Sequence, residues 1–139
     1  MLVLDTSALS RAMRGDPLAL THASAQRPGE LFLTPPVAAE IHYGIARLPF
    51  HSRRAKLLRA EYARWRSVLR WVNWGEDAST IFGEQKARLE ARGARIDDLD
   101  LAVAVIAMAH GLGVATCNAR HFKRIEGLRV LDWSETLSS

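Results

Sequence analysis

Short, wholly apolar runs separated by longer stretches of helical periodicity constrain this chain most. Met1-Leu2-Val3-Leu4, Leu31-Phe32-Leu33 and Gly113-Val114-Ala115-Thr116 are three or four residues long and show no polar face until their ends. Such runs suit strands buried on both sides of a parallel sheet, since a strand with one wet face would alternate. Between them lie helical patterns. Ser7 to Arg14 is stopped by Gly15-Asp16-Pro17, and Leu18 to Ala25 runs up to the turn Arg27-Pro28-Gly29. Thr34 can cap the next helix, with Pro35 in the first position, where a missing N–H is no loss. Phe50 to Arg70 is a long helix, and another starts at Asp77 or Ser79 and ends at Gly93. Trp71-Val72-Asn73-Trp74 reads as a third short strand, and Leu128-Arg129-Val130-Leu131 as the last. Alternating strands and helices imply parallel pairing through right-handed crossovers. The expected fold is α/β, a three-layer sandwich around a mostly parallel central sheet of about five strands. At 139 residues the chain is expected to form a single domain over 1–139, with no repeat or linker.

Within that pattern, acids stand where elements begin and end. Asp5 closes the first strand and is followed at once by Thr6-Ser7-Ala8-Leu9, a turn into a helix. Asp100 opens the apolar helix Leu101 to Ala109, which must be central to the fold. Counting back along that helix from Gly111 selects Asp100 over Asp97 and Asp98. Glu40 lies among Val37, Ala38, Ala39, Ile41, Tyr43 and Gly44, so its charge needs a partner. Ligands of open α/β folds gather at the carboxyl ends of the strands. Crowded carboxylates there repel unless a hard cation neutralises them, and a helix N-terminus keeps such an acid ionised. The first reading is therefore a magnesium or manganese site. Asn118 should project from the end of its strand toward the outer shell of that ion, and Thr116 can hydrogen-bond to a neighbouring acid.

The net charge of +4 conceals a basic segment. Between Arg47 and Arg70, His51, Arg53, Arg54, Lys56, Arg59, Arg64 and Arg66 face a single acid, Glu61. Cations beside clustered carboxylates fit a polyanion held near a metal, although a solvated helix face has the same composition. The single cysteine, Cys117, excludes an intramolecular disulfide and any multi-cysteine zinc site, and reads as a partly buried, inert thiol. His22, His42, His51, His110 and His121 fall on different elements, so none reads as a general base. The apolar run Leu101 to Ala109 is too short for a bilayer, and no leader pattern precedes Asp5; a cytoplasmic, non-membrane protein is expected.

The stretches Leu2-Val3-Leu4-Asp5-Thr6-Ser7-Ala8-Leu9-Ser10, Thr34 to Ile45, Asp100 to Gly111 and Thr116-Cys117-Asn118-Ala119-Arg120-His121-Phe122 resemble, in order, the four motifs of PIN-domain ribonucleases. Within that family the chain looks closest to the VapC and FitB toxins of type II toxin–antitoxin modules. The resemblance implies a Mg²⁺- or Mn²⁺-dependent endoribonuclease. Asp5, Glu40 and Asp100 would be its catalytic, metal-holding acids, and Thr6, Thr116 and Asn118 would support them. Asn118 stands where many relatives carry a fourth acid. A homodimer and a cognate antitoxin protein that covers the site are implied as well. Arg53, Arg54 and Arg64 are expected on the carboxylate side, within the footprint of a bound RNA strand. The alternative is a catalytically inactive PIN-like domain that binds protein or RNA.

Overall fold

The computed structural model describes residues 1–137. In chain order the elements are β1 (Leu2–Leu4), α1 (Thr6–Met13), α2 (Pro17–Ser24), β2 (Leu31–Leu33), α3 (Pro35–Ala46), α4 (Arg53–Val68), β3 (Arg70–Trp71), α5 (Glu76–Ala91), α6 (Asp98–Ala109), β4 (Gly113–Thr116), α7 (Ala119–Phe122) and β5 (Val130–Asp132). The five strands form one sheet in the order β3-β2-β1-β4-β5, and every pair is parallel. Helices α1, α2, α3 and α4 pack among themselves, while α5 packs on α6 and α6 on α7, which gives the three layers read from the sequence.

The core is built as the apolar runs require. Every residue of β1, β2 and β4 is buried, and α6 is buried without interruption from Leu101 to Ala107. A helix apolar all round has no solvated face, so α6 is held between the sheet and α5. Gly113 opens β4 beneath Arg129, where a Cβ would come within 3.0 Å of the Arg129 backbone oxygen and 3.1 Å of Leu2. Only a residue without a side chain allows β1, β4 and the start of β5 to close there.

Strand order decides where the site lies. The chain leaves β1 toward β2 and β3, then returns to the other side of β1 for β4 and β5. The order therefore reverses between β1 and β4, and a crevice opens at their carboxyl ends. Leu4 pairs with Ala115, so one further step sets Asp5 beside Thr116. Val3 pairs with Phe32, so two further steps set Asp5 beside Thr34.

Several boundaries differ from the sequence reading. The third strand is Arg70–Trp71 and not Trp71 to Trp74: the Val72 N–H closes the ladder on Leu33, and the Trp71 indole turns back to Asn73. The last strand is Val130–Asp132, shifted so that Thr116 pairs with Asp132. Helix α4 starts at Arg53 rather than Phe50, because Ser52 caps it through the Ala55 N–H. Asp100 does not open α6. Asp97 caps that helix by accepting from Leu99 and Asp100, and places Asp100 within the first turn.

Candidate active site

Asp5 is held by its neighbours on two elements. One carboxylate oxygen accepts the Ala8 N–H at 2.8 Å, the N-cap of α1, and the Ser7 hydroxyl at 2.7 Å. The other accepts the Thr116 hydroxyl at 2.5 Å from the end of β4. Ser7 and Thr116 have each given their only hydroxyl proton to Asp5, so their own 3.3 Å approach has none left. Both hydroxyls accept in turn, Ser7 from the Cys117 N–H and Thr116 from the Asn118 N–H. The carboxyl is 3% exposed. Burial raises its pKa against those hydrogen bonds, and the charge of Glu40 raises it further.

Glu40 has the partner its apolar helix required: Thr6, at the start of α1, donates its hydroxyl at 2.7 Å. Asp100, half-buried in the first turn of α6, is pushed up to about 6, chiefly by desolvation and then by the charges of Asp5, Asp97 and Glu40. The three acids thus meet electrically although they stand on different elements. Among the described residues no group of three His, Cys, Asp or Glu side chains is already closed around an ion position. The donor set is all hard oxygen, and two of its members have lone pairs occupied by Thr6, Ser7 and Thr116. That chemistry fits a small divalent ion that retains much of its own water, not one in a complete protein cage. His121, on α7, brings Nδ1 to 4.0 Å from Asp100.

Asn118 is exposed and occupies the N-cap position of α7 without a side-chain cap bond, so its amide is free to face the crevice or solvent. Thr34 occupies the cap position of α3, but its hydroxyl makes no cap bond. It is wholly buried and, among the described residues, without a partner. Cys117 is half-buried and its thiol is pushed up by that burial, in keeping with an inert side chain.

The arginines separate. Arg54 lines a hollow of about 420 Å³ that Thr6 and Glu40 also line, together with Arg14 and Arg47. Arg64 lines the adjoining hollow, which shares Met13, Arg14, Arg54 and Leu58 with the first, and is paired with Glu61 at 2.9 Å. Arg53 is exposed at the start of α4 and lines neither. A larger hollow of about 710 Å³, walled by Leu20, Leu31, Trp65 and Val68, contains none of the acids. Sequence reasoning passed over Ser7, Arg14 and Arg47. Ser7 carried a signal, as a hydroxyl two positions after a helix-capping acid; the two arginines carried none, since they come from α1 and α3 and meet only in the fold.

The comparisons point one way. The family model described as "PIN domain" matches residues 2–128. The chain is 25% identical over 131 residues to the Haemophilus influenzae protein named ribonuclease VapC2, covering 94% of this chain and 96% of that one. It is 24% identical over 132 residues to the Shigella flexneri tRNA(fMet)-specific endonuclease VapC, covering 95% and 97%. Among solved structures, DNA-bound VapBC from Salmonella typhimurium superposes with a TM-score of 0.82 at 25% identity, over 96% of this chain and 99% of that one.

Proposed function

This chain belongs to the PIN-domain family, and we propose that it is an endoribonuclease of the VapC kind, the toxin of a toxin–antitoxin pair. The observation that carries the reading is the placement of buried Asp5 at the carboxyl end of the central strand, clamped between α1 and β4, with Glu40 tied to the adjoining Thr6 and Asp100 in the first turn of α6. These three acids would hold a magnesium or manganese ion, which when bound lowers the pKa of a coordinated water and neutralises charge on the phosphate.

The chain's own residues supply the positioning. Ser7, Ala8 and Thr116 fix Asp5 with both oxygens oriented, and Thr6 does the same for Glu40. Fixed donors need no reorganisation as charge develops in the transition state, which is the main source of such catalysis. Asn118 contributes a neutral oxygen where a further acid would give a second anionic ligand, so we assign it to orienting water. Arg54, and further along Arg64 and Arg53, grip the phosphates of a single strand, whose unstacked bases are the part of RNA that proteins read. The chain pairs with a second copy and with an antitoxin that occupies the acidic crevice.

Cleavage of labelled total RNA with magnesium, with manganese and with EDTA tests the reading. Discrete products that need the metal and disappear in Asp100→Asn are expected. Products that persist in EDTA would overturn the metal-dependent reading, and no products under any condition from a folded protein would leave a PIN-like binding module instead.

A further inference from the structure

The hollow beside Glu40 has features that the acids alone do not explain. Its rim brings together Arg14 from the end of α1, Arg47 from the end of α3 and Arg54 from the start of α4. Among the described residues none of these guanidiniums is paired with a carboxylate. Glu40, among the described residues the only acid lining the hollow, is engaged by Thr6. Arg47 also lies over the Tyr43 ring at 5.9 Å, which holds its charge at the rim. Beneath the cations the floor is apolar, formed by Met13, Ile41, Ile45 and Leu58 around Gly44.

Gly44 borders open space. A Cβ built there meets nothing within 4 Å, and no positive φ requires a glycine. Glycine in a helix interior is unfavourable relative to alanine, and the packing gives no reason for it. What its bareness leaves is space one turn beyond Glu40.

Resting on the reading of this chain as a ribonuclease, we propose that the hollow is a subsite for the nucleotide adjoining the scissile phosphate of single-stranded RNA. Arg14 and Arg47 join Arg54 in gripping its phosphates, and the Ile41–Gly44 floor receives its base. A single strand alternates anionic phosphate with a flat apolar base, and sites for it pair cations with apolar platforms. Guanidinium forks match phosphate oxygens two at a time. The volume of about 420 Å³ lies within the range of pockets that enclose small ligands. Continuity with Thr6 and Glu40 carries the bound strand directly to the acids.

The test is binding of a fluorescein-labelled 12-nucleotide single-stranded RNA in EDTA, where no cleavage is supported, at several salt concentrations. Wild type is compared with R14A/R47A, with Gly44→Leu, and with Arg129→Ala at the opposite rim of the sheet. For R14A/R47A the Kd should rise on the order of tenfold or more. Its log–log salt slope should shrink by about 1.4, at about 0.7 per phosphate contact on a single strand. Gly44→Leu should weaken binding with the slope unchanged, since it fills space and removes no charge, and Arg129→Ala should match wild type. If R14A/R47A melts like wild type and binds RNA with the same Kd and slope, the inference is overturned and the hollow belongs to a protein partner. Wild type that cleaves RNA alongside such a result would overturn this inference alone. Wild type that neither binds nor cleaves would overturn the ribonuclease reading with it.

Discussion

Burial in the first turn of α6, and after it the charges of Asp5, Asp97 and Glu40, push the Asp100 carboxyl up to about 6 from an ordinary 3.8. The folded chain therefore binds this proton more tightly than the unfolded chain. Its contribution to stability is full below about pH 4 and is lost as pH rises through about 6. Asp100→Asn should accordingly melt above wild type at pH 7.5, with the gap closing near pH 4, and added magnesium should raise the melting temperature of wild type only. RNA cleavage by the same variant should fall at least about a hundredfold, as when a preorganised charge-stabilising group is removed. A variant that melts lower than wild type at pH 7.5 would contradict the repulsion argument. Thr116→Val separates holding from chemistry. It strips a partner from buried Asp5 and an acceptor from the Asn118 N–H, so denaturant unfolding should show a loss of about 1–3 kcal/mol. At this scale Asp5 and Glu40 were readable, because one ends a strand and the other interrupts an apolar helix face. The true cap of α6 was not: Asp97, Asp98 and Asp100 are all suitable caps, and only the loop geometry selects Asp97.

Among elements, α4 combines two roles that its sequence superimposes. Leu58, Tyr62 and Trp65, partly buried, pack the apolar stripe against the core, while Arg53, Arg54 and Arg64 are exposed. Neutralising those three arginines should weaken RNA binding and reduce the salt slope by up to about 2, at about 0.7 per contact. Most of that change should come from Arg54, which lines the hollow next to Glu40, and least from Arg64, which Glu61 already engages in an exposed pair worth about 0–1 kcal/mol. Titration of the single variants against salt checks the ranking. The long amphipathic and all-apolar helices were recognisable because their periodicity is carried by many residues. The bounds of β3 were not, because Arg70 and Trp71, both exposed, become a strand only through pairing with Phe32 and Leu33, a partner the local sequence does not display.

For the whole molecule, alternation of apolar runs and helices was enough to indicate a parallel three-layer fold, whereas the order β3-β2-β1-β4-β5 had to be seen. That order sets Thr116 and Asp5 side by side. Self-pairing belongs to this scale too. Sedimentation of the purified chain should give about twice its 15.5 kDa mass, and a monomer that still cleaves RNA would show that the site is complete within one copy. The central position of β1 has a further consequence, concerning time. Asp5 is translated near the start, yet the hydroxyl that clamps it lies 111 residues later. During synthesis β1 can take β2 as a neighbour early, but its other flank stays open until β4 arrives, and contacts so distant in sequence form late. A chain interrupted between Asp100 and Thr116 carries all three acids yet lacks the hydroxyl that clamps Asp5. Closure of the crevice is thereby deferred until synthesis has passed β4.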